Sequence, residues 1–274
     1  MALEEYFSKA FSKNNKIGQK LLPEKLVDAE NELRSHASID LQSYNRSLLQ
    51  FLLDHFKARR CPWTLSDSII ELYNLQIFRL EHNLKNKHES YFRLENDYFR
   101  KDIALLLHRL IPFGAEFASP YSGIPRSLAI KAGPSQAMAF SAAIWHSRGL
   151  APFLELHMHP EVTEQFNPSG WIATYERLAE FLEMNPKFRG VQSTSWFLDP
   201  ALADISPRLS YLREVPEQCG AFWLFAGLDQ HGTSGALDTS PTRRRLHASG
   251  TYKPRLFTRI WPKRRMLKRK WRLL

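Results

Sequence analysis

The chain has 274 residues, 43% of them hydrophobic and 24% charged, with 18 Phe, 9 Tyr and 7 Trp. That is enough for one large domain or two small ones with a packed core, and it excludes a disordered chain. No apolar run approaches the roughly 20 residues that span a bilayer, and the net charge of +10 sits almost wholly at one end.

The first residues, Met1-Ala2-Leu3-Glu4-Glu5, carry acids where a secretory signal needs bases, so a cytoplasmic protein is expected. Residues 1–110 read as a helical N-terminal portion. Leu41, Leu48, Leu49, Leu52, Leu53 and Phe56 recur at helical spacing, with Ser38 or Asp40 placed to cap. After Cys61-Pro62, Thr64 or Ser66 caps a second helix striped by Ile69, Ile70, Tyr73, Ile77, Leu80 and Leu84. A third runs from about Glu95, with Phe99, Ile103, Leu106, Leu107 and Leu110 inward.

Residues 111–135 form a connection rich in Pro and Gly, within which Ile124–Ala132 offers a short strand. Residues 136–262 then alternate helix and strand. Helices are expected near 135–147, 170–184, 201–213 and 241–248, and strands near 152–159, 188–198, 221–226 and 255–261. The fold class is therefore α+β or α/β, a helical portion followed by a mixed sheet flanked by helices. Cys61 and Cys219 stand far apart with no partner motif, which favours free thiols and excludes a Cys-based zinc site.

The segment Leu154-Glu155-Leu156-His157-Met158-His159-Pro160 carries the strongest hint of chemistry. On a strand, alternation puts Glu155, His157 and His159 on one face and Leu154, Leu156 and Met158 on the other. A carboxylate and two imidazoles in a row suit acid–base work, or a divalent metal held by His157, His159 and Glu155. Asp199, at the end of the strand containing Ser195 and Trp196, is a further catalytic candidate. The loop Asn167-Pro168-Ser169-Gly170-Trp171 opens a helix whose N-terminus can meet an anion, so Asn167 and Trp171 join the substrate candidates.

Ser240-Pro241-Thr242-Arg243-Arg244-Arg245-Leu246-His247 starts another helix, with Ser240 at the cap and Pro241 at the first helical position. One or two of its arginines can fork onto a phosphate or carboxylate. With its spacing to Gly250 and Tyr252, this segment resembles the last helix of GNAT-type N-acyltransferases. Ser240 stands at that pattern's capping Asn, Arg243 at its small residue, Leu246 at its Leu, His247 at its Tyr and Tyr252 at its Phe. The strand 255–261 follows where the family has one. The resemblance covers about the last 85 residues. It implies acyl-CoA as cofactor, His247 as acid and His157 or Glu155 as base. The pocket is expected at the ends of the His157 and Trp196 strands, so Ser195 and Trp196 join Arg243, Arg244 and Tyr252 as substrate candidates. The family's pyrophosphate loop has its nearest counterpart in Asp204–Tyr211, which lacks glycine.

From Thr239 to Leu274 there are 13 Lys or Arg and no acid, while the other 238 residues hold 25 bases and 28 acids. The tail 263–274, if helical, aligns Leu267, Trp271 and Leu274 amid bases. That suits an anionic membrane surface, or nucleic-acid phosphates with Trp271 stacking on a base. Three functions follow. The first is an acyltransferase-like enzyme on a small anionic substrate, the second a metal-dependent enzyme, and the third a non-enzymatic membrane-surface or nucleic-acid binder acting through the tail. Oligomeric state is left open.

Overall fold

A computed structural model describes residues 21–34, 40–58, 60–229 and 234–273. Much of the expected helical portion before residue 21, the cap candidate Ser38 and Leu274 of the tail lie outside the described residues. The chain divides into two compact units. One comprises the described residues up to Ser122 together with His157–Asn185; the other comprises Gly123–Leu156 and Pro186–Leu274.

The first unit is mainly helical. It contains α1 (Glu24–Arg34), α2 (Leu41–Asp54), α3 (Asp67–Asn86) and α4 (Asp97–Leu106). Asp40 caps α2 by accepting from the Gln42 amide, and Asn96 caps α4 by accepting from the Tyr98 and Phe99 amides. Much of the apolar stripe legible in the sequence is buried, with Ile70 exposed and Leu53, Ile77 and Leu84 half-buried. Leu48, Leu49, Leu52, Ile69, Leu80, Phe99, Ile103 and Leu106 are fully inaccessible. The chain then makes an antiparallel hairpin of β1 (Ile111–Pro112) and β2 (Phe117–Ser122), where the sequence predicted only a connection. Its turn is held by the helix α6 (Pro168–Met184). Thr174 Oγ1 accepts from the Ala115 amide at 2.9 Å, and Arg177 donates to the Phe113 carbonyl at 3.1 Å.

The second unit is a mixed sheet with helices. Its strands β3 (Phe153–His157), β4 (Gly190–Ser195), β5 (Phe222–Leu228) and β6 (Arg255–Pro262) lie in the order β3-β4-β6-β5. The β3–β4 pair is parallel; β4–β6 and β5–β6 are antiparallel. The register runs Glu155, Gln192, Ile260 and Phe222 into one row. Helix α5 (Gly133–Ser147) covers that face, and Ile124, Leu128, Ala143, Phe153, Leu224 and Ile260 form its core. Gly190 lets β4 and β6 approach closely. A Cβ there would collide with the Trp261 carbonyl and lie 3.0 Å from the Lys263 amide.

Three expected elements are corrected. Ile124–Ala132 holds a 3-10 turn (Arg126–Ile130), not a strand. Alternation would set Arg126 beside Leu128 on one face, whereas the turn buries Leu128 and leaves Ile130 84% exposed. The helix expected at 201–213 breaks into α7 (Leu202–Ile205), a 3-10 turn at Pro207–Leu209 and α8 (Tyr211–Gln218). Pro207 has no amide to donate and bars Ser206 from helical geometry, leaving Ser206 at φ −146°. The tail is two short pieces, α10 (Lys263–Met266) and a 3-10 turn at Lys270–Leu273, and not one amphipathic helix. Trp271 is buried edge-on against Trp261 at 5.3 Å, so its ring is unavailable to a lipid or a base. Both cysteines are free thiols.

Candidate functional site

The site is built in the second unit, where β4 ends and β6 begins. Beyond β4 the chain makes a 3-10 turn, Trp196–Leu198, that buries Trp196 with Leu202 and Ala236. The loop after β5 leads into α9 (Pro241–Ala248), and Ser240 caps α9 as the sequence predicts, accepting from the Arg243 amide at 3.2 Å. The cap directs the first turn of α9 inward and delivers Arg243 to the interior, only 2% exposed.

Arg243 is the central group. Its guanidinium carbon lies 4.5 Å from the centre of the Trp196 ring, whose other neighbour is Phe197, stacked at 3.9 Å. Nε donates to the Ala236 carbonyl at 2.5 Å, and Nη1 donates to Ser206 Oγ at 3.1 Å. The break at Pro207 is what turns the Ser206 hydroxyl toward it. Among the described residues no carboxylate lies within ion-pair distance of Arg243. Burial pulls its pKa below the ordinary arginine range; Tyr252 opposes that shift and Arg208 adds to it. Arginine nonetheless stays cationic at neutral pH.

Tyr252 is 3% exposed, and its hydroxyl makes no hydrogen bond among the described residues. Burial, then the Asp199 charge, push its pKa up to about 12, against the pull of Arg243 and Arg255. The phenol therefore keeps its proton throughout the neutral range. Asp199 is fully committed to structure. Oδ1 accepts from the Ala201 amide at 3.0 Å and from Arg255 Nε and Nη2 at 3.0 and 2.7 Å, while Oδ2 accepts from the Arg255 amide at 3.1 Å. Its carboxylate pins the start of β6 to the turn that follows β4.

The remaining candidates are placed as follows. Ser195 Oγ accepts from the Phe197 amide at 3.1 Å, shaping the turn that carries Trp196. Arg244 is exposed and holds the Leu237 and Asp238 carbonyls at 3.0 and 2.8 Å. His247 lies one turn along α9 from Arg243 and is half-buried. Glu155 is half-buried on β3, beside Gln192 in the sheet register. Ser206 and Arg208 lie in the segment Asp204–Tyr211 that the sequence offered as the pyrophosphate-loop counterpart, while Ala236 was not singled out by the sequence reading.

Asn167 and Trp171 belong to the first unit and are structural there. Asn167 Oδ1 accepts from the Gly170 amide at 2.9 Å as the cap of α6, and Trp171 is buried against Tyr175 and Phe166. His157, half-buried, is the last residue of β3.

The metal set of Glu155, His157 and His159 is corrected. The strand stops at His157, so His159 leaves the row. His159 caps the 3-10 turn Pro160–Gln165, its Nδ1 accepting from the Glu161 amide at 3.2 Å. Its Nε2 faces Asp102 Oδ1 at 3.4 Å, with both side chains fully buried. Asp102 also accepts from Arg79 and from the Tyr91 hydroxyl at 2.5 Å. Burial alone would raise the Asp102 pKa; His159 and Arg79 outweigh it and hold the carboxyl below its ordinary range. With both ring nitrogens directed at protein groups, His159 is a packing residue. Among the described residues no group of three or more His, Cys, Asp or Glu side chains is arranged to hold a metal ion.

No family model matches the sequence, and no curated protein matches it. Among solved structures, the chain is similar to an acyltransferase in complex with decanoyl-CoA. The two are 14% identical, with 96% of each chain covered and a TM-score of 0.42.

Proposed function

We propose that the second unit is an acyltransferase-like enzyme that acts on a small anionic substrate and holds its acyl-CoA donor at the Arg243 cluster. The observation that carries this reading is the buried guanidinium of Arg243, which has hydrogen bonds and an aromatic face but, among the described residues, no carboxylate partner. A cation withdrawn from water without a counter-charge is costly to the fold, and a bound phosphate or carboxylate offsets that cost. Acyl-CoA, the cofactor implied by the resemblance of α9 and β6 to GNAT-type enzymes, is a polyanion.

In this reading the acceptor amine attacks the thioester carbonyl, forming the C–N bond as the C–S bond breaks. The amine gives up a proton to Glu155 or to solvent, and the leaving thiolate takes one from His247. Tyr252, protonated at neutral pH, donates a hydrogen bond to the charge that develops during transfer. Asp199, held by Arg255, takes no part in proton transfer.

The test is calorimetric titration of the full chain with decanoyl-CoA, beside Arg243→Met and His247→Ala. Binding at micromolar to millimolar concentration that Arg243→Met weakens, with turnover lost in His247→Ala, supports the reading. No binding of acyl-CoA at millimolar concentration sinks it.

A further inference from the structure

Helix α5 packs Ala139, Phe140, Ala143 and Ile144 against the sheet core, and its outward side carries large apolar side chains too. Its buried positions are Gln136, Ala143 and Ser147, while its outward side carries Met138, 69% exposed, and Trp145, 82% exposed. Met138, Ser141, Trp145 and Arg148 follow one another at helical spacing along that side. Beside them lies a shallow cavity of about 750 Å³ lined by Phe140, Ile144, Trp145, His146, Arg148 and Arg264. Arg264 comes from α10, so the start of the basic tail meets the apolar helix here. Arg189 also stands at this end, donating to the Arg148 carbonyl.

The charges around this face have one sign. There is no Asp or Glu in the sequence from Phe117 to Leu154, nor from Thr239 to Leu274. Arg148 and Arg264 line the cavity beside the α5 stripe, and Arg189 holds the Arg148 carbonyl at its end.

We infer that the α5–α10 face docks on an anionic lipid bilayer, with Met138 and Trp145 entering the interface and Arg148 and Arg264 meeting the headgroups. Charge complementarity selects this occupant. A second copy of the chain meeting through the same face would set cations against cations. A nucleic acid would satisfy the arginines but leave Met138 and Trp145 without apolar cover. A bilayer interface takes both, and Trp is suited to that depth because one edge is apolar and the other polar. Among the described residues no helix is long and apolar enough to cross a membrane. The inference uses none of the Arg243 cluster and stands whether or not the chain transfers acyl groups.

The experiment is co-sedimentation of the full chain with vesicles of phosphatidylcholine alone and of phosphatidylcholine mixed with phosphatidylglycerol, at low and high salt. The protein is expected to partition onto the anionic vesicles and to be released by salt. Met138→Glu/Trp145→Glu is expected to lower the partition coefficient about tenfold or more, and each of Arg148→Glu and Arg264→Glu about fivefold or more. Trp145→Gln serves as a milder second variant, and circular dichroism checks that all are folded. Partition onto neither vesicle, or partition unchanged in folded Met138→Glu/Trp145→Glu protein, overturns the inference. So does a light-scattering mass of a dimer that this variant splits, or duplex DNA binding stronger than vesicle binding.

Discussion

The guanidinium of Arg243 lies flat enough on Trp196 to bring its carbon 4.5 Å from the ring centre, and the two form the heart of the candidate site. The pair is assembled from elements more than 40 residues apart in sequence, with Ser206 and Ala236 supplying the oxygen contacts. A cation held by an aromatic face and two neutral oxygens is ready to take an anion. Had an aspartate stood in their place, the charge would already be spent.

Arg243→Met is expected to weaken acyl-CoA binding about 10- to 100-fold, the range for losing one or two charge-assisted hydrogen bonds. Stability should fall by about 1–3 kcal/mol, because Ser206 Oγ and the Ala236 carbonyl lose a donor. Arg243→Lys keeps the charge without the fork and should fall between the two. Calorimetry and urea denaturation measure both effects; equal affinity in wild type and Arg243→Met would remove Arg243 from the site.

Tyr252→Phe separates function from stability. The hydroxyl is buried without a hydrogen bond among the described residues, so its removal should leave stability unchanged or raise it by up to about 1 kcal/mol. Turnover should drop about 100-fold if the phenol donates to the reacting group. Because folding raises the Tyr252 pKa from 10.0 to about 12, its contribution to stability is fully present below pH 10 and lost as pH rises through 12. Denaturation of wild type and Tyr252→Phe across that alkaline range should show a steeper loss in wild type.

Asp102→Asn tests the helical unit. The change removes the fully buried carboxylate that faces Arg79, Tyr91 and His159. Breaking a buried pair from one side costs about 3–5 kcal/mol, so a large fall in Tm is expected. The folded-state pKa of Asp102 is depressed. Its stabilisation is therefore complete above the ordinary carboxylate range and disappears as pH falls below it, and the acid limb of the stability curve should flatten in the variant. An Asp102→Asn protein as stable as wild type at neutral pH would contradict this account.

Trp271→Ala tests the tail. Trp271 is 2% exposed and packs edge-on against Trp261, which is itself buried on β6. Loss of such a ring costs about 3–5 kcal/mol, so the variant should unfold at markedly lower denaturant concentration. An unchanged midpoint would return the tail to the role of a solvated appendage.

Local signals were enough for several elements. Leu48, Leu49 and Leu52 of the α2 stripe and Ile69, Tyr73 and Leu80 of the α3 stripe are buried as predicted, although Ile70 is exposed, and Ser240-Pro241 starts α9 where its cap and first-turn proline place it. Those features depend on neighbours within one or two turns, which a sequence displays. The failures share a cause too. At 124–132 short apolar spacing is compatible with strand or turn, and packing of Leu128 against the sheet decides it. At 201–213 the proline was visible, but not the use of the freed Ser206 hydroxyl by a residue 37 positions later.

The site divides in the same way. Contiguous residues set the local stage: a strand bearing Glu155 and His157, a capped helix bearing Arg243 and His247, and a tail of one charge. Their use was settled by folding. It took His159 out of the row to face Asp102, bound Asp199 to Arg255, drew Trp271 into the core and set Arg243 on the Trp196 ring. Alternation, capping and charge runs are properties of contiguous residues. Burial of a charge, and the identity of what lies against it, are set by segments that meet only when the chain has folded, and the free energy of that choice appears in no single stretch.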